Sequence, residues 1–172
     1  MRHATTTQGT SARLALLLLT LAAAVFAQDR SDRHGYFDVR SANTRLVNGV
    51  QVLDARLQLV LSDEALDALN SGVPLTIELN IEVIRVRRFL PDALDAELTL
   101  RYELEYRPLS QRYIVRNLNS SDQESFATLY SALNNLGRIQ DLPVVDDAIL
   151  EADSDYRMRL QAVLSTQQYP AP

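Results

Sequence analysis

Three stretches of two-residue alternation constrain this chain more than any other feature. Leu53, Ala55, Leu57, Leu59 and Leu61 face one way, while Asp54, Arg56 and Gln58 face the other. Val73, Leu75, Ile77, Leu79, Ile81 and Val83 repeat the pattern, and so do Ala96, Leu98, Leu100, Tyr102, Leu104 and Tyr106. A period of two places each set on one face of a β-strand. Each strand then needs a second layer to cover its apolar face. Val47-Asn48-Gly49-Val50 adds the strongest short hairpin signal, an Asn-Gly pair between two β-favouring runs. It predicts that a strand from Tyr36 returns through residues 50–61.

The second of these strands carries an irregularity. Its apolar residues are odd-numbered through Val83, and then Ile84 and Val86 are even-numbered. One extra residue would flip the phase in this way, which predicts a β-bulge at Val83/Ile84 within strand 73–88. Strand 96–107 shows no flip. An antiparallel hairpin is expected with Ile81 opposite Tyr102, Leu79 opposite Leu104 and Ile77 opposite Tyr106. This register has one defect, since it sets Glu78 against Glu105.

Helices are expected to be few. Ser62-Asp63-Glu64 opens one, with Leu66 and Leu69 inward and Gly72 as its stop. Ser121-Asp122-Gln123-Glu124 reads as a capping box for a second, 122–136, with Phe126, Leu129, Tyr130, Leu133 and Leu136 on one face. Residues 142–152 are the place for a short third. Arg112–Arg116 and 156–164 complete six strands. The expected fold is mainly β with two to three short helices (α+β), either an antiparallel β-sandwich or a curved sheet with helices packed on it.

The amino terminus reads as an export signal. Arg2, His3 and Arg13 precede an apolar run from Leu14 to Phe26, interrupted only by Thr20. Thirteen residues are short of the ~20 that a spanning helix needs. Cleavage is expected between Ala27 and Gln28, with an uncleaved membrane anchor as the alternative. Residues 28–35 would then be a flexible lead-in to one domain at 36–172. No Cys follows the apolar run, so lipid anchoring at a Cys is excluded. The expected mature product is periplasmic. It keeps 15 Arg against 22 carboxylates, a formal charge of −7. That sign argues against nucleic acid as a partner.

Composition removes several chemistries. The chain has no Cys and no Lys, so it lacks thiolate nucleophiles, Cys-bound metal, a P-loop lysine and a Schiff-base lysine. Its five Gly are dispersed, which excludes a Gly-rich phosphate cradle. His34, between Asp32 and Asp38, has no serine in a nucleophile-elbow motif to serve and reads as solvated. Asp146, Asp147, Glu151, Asp153 and Asp155 lack the spacing and turn glycine of a calcium loop. Glu103 and Glu105 read as surface acids and not a glycosidase pair. No catalytic residue, metal or cofactor is expected. Arg85, Arg87 and Arg88 are the candidate site. Planar guanidinium groups clustered beside a bulge suit an anionic ligand or an acidic partner, and otherwise serve as charge on an exposed edge.

Over residues 36–170 the chain resembles the bacterial envelope family known as domain of unknown function 4390. The resemblance is carried by Leu53-Asp54-Ala55, Leu66 to Gly72, Ile84-Arg85-Val86-Arg87-Arg88 and Tyr102-Glu103-Leu104-Glu105-Tyr106. Leu109 to Asn117, Glu124 to Leu129 and Leu136-Gly137-Arg138 complete it. It implies an exported protein with no assigned activity or catalytic residues, in genomic association with a membrane histidine kinase and its response regulator. The resulting expectation is a non-catalytic interaction domain, an accessory to envelope signalling with an envelope or membrane protein as partner. The alternative is a periplasmic carrier or sensor of a small apolar or anionic ligand, held between the sheet and helix 122–136. Oligomeric state is left open.

Overall fold

In a computed structural model the described residues are 34–165. The signal segment, its Ala27/Gln28 junction, residues 28–33 of the lead-in and the terminal Pro-Ala-Pro lie outside them. The strands are β1 (Tyr36–Val47), β2 (Val50–Val60), β3 (Leu75–Val86), β4 (Ala93–Arg107), β5 (Arg112–Asn117), β6 (Gln123–Phe126), β7 (Arg138–Asp146) and β8 (Asp155–Ser165). Two helices interrupt them, α1 (Asp63–Asn70) and α2 (Leu129–Leu136). One sheet has the order β1-β2-β7 and the other β6-β5-β4-β3-β8, and all six pairings are antiparallel. The mainly-β, α+β expectation holds.

The first hairpin forms at Asn48-Gly49, both with positive φ (51° and 82°), and runs in register from Val47↔Val50. α1 then carries the chain from the three-stranded sheet to the five-stranded one. Ser62 caps it by accepting from the Ala65 amide. At its other end Val73 N donates to Ala68 O and Gly72 N to Leu69 O, so two otherwise orphaned carbonyls are satisfied.

The core lies between the sheets. β2 contributes Leu53, Leu57 and Leu59, with Leu61 just past its end, while β3 contributes Leu75, Ile77, Leu79 and Ile81, all buried. Leu69 of α1 and Leu104 of β4 are each fully enclosed. α2 closes the flank, with Ala132 and Leu136 buried and Leu129 and Leu133 half-buried. Gly137 ends α2 against β2, where its carbonyl accepts from Leu57 N at 2.7 Å. A Cβ at Gly137 would stand 2.4 Å from the Leu57 carbonyl oxygen, so only glycine fits.

Four expectations need correction. The β3–β4 register is displaced by four residues from the one anticipated: Ile77 faces Tyr102, Leu79 faces Leu100 and Ile81 faces Leu98. Glu78 therefore meets Arg101, and the Glu78–Glu105 clash does not arise. The register does shift at Val83/Ile84, but the extra residue is Asp95 of β4 and not a residue of β3, which pairs with β8 without a break. Residues 123–126 are strand β6 paired to β5, and Thr128, not Ser121, caps the helix. Tyr130 points outward at 80% exposure. Finally, the proposed third helix is β7 running to Asp146, followed by a single 3-10 turn at Asp147–Ile149.

Leu104→Ala empties a site with no solvent contact and should lower stability by ~2–5 kcal/mol, measured by urea denaturation. Tyr130→Ala should stay within ~0.5 kcal/mol of the parent.

Candidate functional site

Val83 is the last apolar residue that β3 turns toward the opposing sheet. Two residues further, on the same face, comes Arg85, whose side chain is only 19% exposed. A buried guanidinium needs partners, and the bulge provides one. As the extra residue of β4, Asp95 places its carboxylate 3.2 Å from Arg85 Nε and 3.3 Å from Nη2. Tyr156, directly opposite Arg85 in β8, donates its hydroxyl to the same carboxylate at 2.8 Å. The Glu151 amide donates in turn to the Tyr156 oxygen at 2.9 Å, and the Glu151 carboxylate bonds Arg85 Nη1.

Electrostatics follow from this arrangement. Hydrogen bonding to Arg85 holds the Glu151 carboxyl below the usual range, with a further contribution from the positive field of Arg87. The same hydrogen bond raises the Arg85 guanidinium. Burial, ahead of the Asp95 contact, pushes the Tyr156 phenol up. With two carboxylates on it, Arg85 is already neutralised and has a structural duty.

The other two arginines have a different setting. Arg87 and Arg88 are exposed in the β3–β4 connection, where the Arg87 amide bonds Asp92 at 3.3 Å and Asp92 also pairs with Arg157 at 2.9 Å. The structure thus splits the expected trio into one inward ion-paired arginine and two outward ones. Beside the outward pair stand Phe89 at 96% exposure and Leu90 at 63%. Val86 and Leu94, at the two ends of the turn, are exposed as well. This apolar tip was missed in the sequence, although two large apolar residues just before Pro91, in a segment with no alternation, were its signal.

Several clefts open between the sheets, and two of them lie near residues considered above. One, of about 460 Å³, lies under the Arg85 network and is lined by Thr44, Gln51, Val83, Glu151, Tyr156 and Met158, among others. The other, of about 360 Å³, lies between β4–β5 and α2, with Tyr102, Val115, Leu136, Arg138 and Ile139 in its walls. Burial raises the Tyr102 phenol there.

The remaining candidates are dispersed. Asp146 caps the 3-10 turn, and Asp147 accepts from Gln51. Glu103 pairs with Arg116, and Glu105 with Arg107. His34 is exposed ahead of β1. Among the described residues no group of three or more His, Asp or Glu could hold a metal, and no helix is long and apolar enough to cross a membrane.

Two antiparallel sheets, two short helices and an apolar-cationic hairpin tip define a mainly-β α+β domain. The chain belongs to the family described as Domain of unknown function (DUF4390), which it matches over residues 35–172. No curated protein and no solved structure matches it.

A pH test follows from the Glu151–Arg85 pair. The folded-state pKa of Glu151 is depressed, so the contribution of the pair is complete above the ordinary value of 4.5 and is lost as pH falls through the lower folded value. Hydrogen exchange of the amides at 150–154 should accelerate in that acid window. Glu151→Gln should produce the same acceleration at neutral pH, with little change in global stability because the carboxylate is 66% exposed.

Proposed function

We propose that this is an exported, non-catalytic interaction domain that docks an envelope or membrane protein through the tip of the β3–β4 hairpin. The carrying observation is the exposure of Phe89 and Leu90 beside Arg87 and Arg88. Single exposed apolar residues are ordinary. A cluster on one turn, flanked by exposed Val86 and Leu94, is a patch that binding would cover. Aromatic and Arg side chains are the ones that dominate interface energetics. Two cations on a domain of net acidic charge also give the tip a sign that selects an acidic rim on the partner. Export is supported by the Leu14–Phe26 run and its polar exit. The family resemblance favours a membrane histidine kinase as the partner, with this domain as its accessory.

In-cell crosslinking with the tagged full chain as bait tests this reading. Phe89→Ser with Leu90→Ser, and separately Arg87→Glu with Arg88→Glu, should each reduce capture of one membrane protein by about tenfold or more while thermal melts stay unchanged. Capture by the charge variant's parent should weaken with salt. Undiminished capture by both folded variants would remove the tip from consideration.

The cleft between β4–β5 and α2 favours a second reading, a carrier of a small molecule with an apolar part and hydrogen-bonding groups, since Asn117, Asp122, Glu124 and Asn135 stand beside its apolar walls. Its volume of about 360 Å³ is at the lower end of ordinary ligand pockets. Native mass spectrometry should then find an added mass that Leu136→Phe, which fills the cleft, displaces. A bare protein mass from freshly isolated material would count against this reading.

A further inference from the structure

The two sheets present four edge strands: β1, β7, β6 and β8. Exposed edges invite pairing with other chains, and proteins blunt them with bulges, prolines, brevity or inward charge. Three of the four are blunted. β1 has a bulge, with Arg40 as its extra residue between Val39 and Ser41. β7 contains Pro143, a positive φ at Asp141 and two register shifts. β6 is only 4 residues long.

β8 has none of these devices. It is 11 residues long, lacks proline, and pairs with β3 from Thr76↔Ser165 to Val86↔Asp155 without a shift. Its inward face, Tyr156, Met158, Leu160, Ala162 and Leu164, carries no charge and is only half-buried, whereas Val83, Ile81, Leu79 and Ile77 opposite the last four are sealed. Of the three charges on its outer face, both arginines are already engaged by the same molecule, Arg157 with Asp92 and Arg159 with Glu82, and Asp155 stands at the strand's end. Among the described residues no second strand hydrogen-bonds β8, although the start of β1 (Tyr36, Phe37) comes close to Ala162–Leu164 at its far end.

The strand is also self-complementary. Its midpoint is Leu160, and a twofold axis there aligns all eleven residues with a second copy. Tyr156 then faces Leu164 of the second copy, Met158 faces Ala162, and Leu160 faces itself. On the outer face Arg157 meets Val163, and Arg159 meets Gln161. No like charges oppose one another. An axis at Arg159 instead would set the two Arg159 side chains together, which cross-strand pairing disfavours.

We infer that the outer edge of β8 is a self-association site, at which two copies pair antiparallel about Leu160 and join their five-stranded sheets into one. The pairing is isologous and closed, so it ends at a dimer. It uses none of the residues of the β3–β4 tip, and it does not rest on the partner that the tip would dock.

Sedimentation velocity over a dilution series, on protein purified after expression of the full chain, tests the inference. The parent should be a reversible dimer. Gln161→Arg places a second arginine opposite Arg159 twice per dimer and should weaken association by roughly fivefold or more. Gln161→Glu places a carboxylate there and should tighten it. Gln161 is exposed, so both variants should keep the parent's circular dichroism and melting profile. A monomer at every concentration overturns the inference, as does a monomer found holding a strand of some other protein. So does a dimer that the two variants leave alone or shift in the same direction.

Discussion

The structure depends on the burial of one face of β3. Leu75, Ile77, Leu79, Ile81 and Val83 form an uninterrupted apolar row at 0–3% exposure. β3 is paired on both sides, by β4 and by β8, so its backbone groups are satisfied in the ladder and its inner face is free to pack. Covering that face requires a second sheet, and the row from Leu53 to Leu59 in β2, continued by Leu61, is its complement. α1 exists to bring the two rows together. It reverses the chain between them and adds Leu69 to the same core. At about 25 cal/mol per Å² of apolar surface, these rows supply the main driving force for folding in a chain without disulfides.

The elements that were legible in the sequence are those whose local signal and tertiary role agree. Asn48-Gly49 specifies a tight turn, and nothing in the packing opposes it. Ser62 and Gly72 bracket α1 for the same reason. The β3–β4 register was not legible, because an even shift keeps every apolar residue on its face and satisfies the alternation equally well. Ion pairs distinguish the registers, as in Glu78 with Arg101, yet these become visible only when the pairing is known. Glu82 shows the limit of reasoning from one pair of strands. It faces Glu97 in β4, and its cation, Arg159, comes from β8 on the other side.

Local signals misled where a tertiary partner outweighed them. Ser121 to Glu124 has the composition of a capping box, but Ser121 adopts a positive φ of 67° and the following residues pair with Tyr113–Arg116. The helix starts at the next competent cap, Thr128, whose hydroxyl accepts from Ser131 N. β7 hid for the opposite reason. Pro143 and its two register shifts break the period of two that would have revealed it. In the candidate site, the bulge does fall at Val83/Ile84, but its extra residue belongs to β4, so the apolar Ile84 and Val86 lie on the outer face of a β3 that never changes phase. That placement decides the fate of Arg85. With Asp95 as the extra residue, β3 keeps its phase and Arg85 stays on the inner face.

The inward arginine also explains why the exposed tip is where it is. β3 continues past Val83, where the sandwich gives way to the polar side chains Thr44 and Gln51 across the cleft. An apolar residue at 85 would stand half-wet in that opening. A guanidinium ion-paired to Asp95 and Glu151, with Tyr156 bonded to Asp95, ends the core with a neutralised charge instead, although its Nε lacks a hydrogen-bond partner. The hairpin beyond it is therefore released from the core and needs no apolar residues for folding. Phe89 and Leu90 sit there nonetheless, adjacent in sequence and more exposed than even the outward apolar residues of the strands, such as Leu46 at 55% and Leu94 at 54%. Folding stability does not explain their position, which is why the proposed docking surface is placed on them.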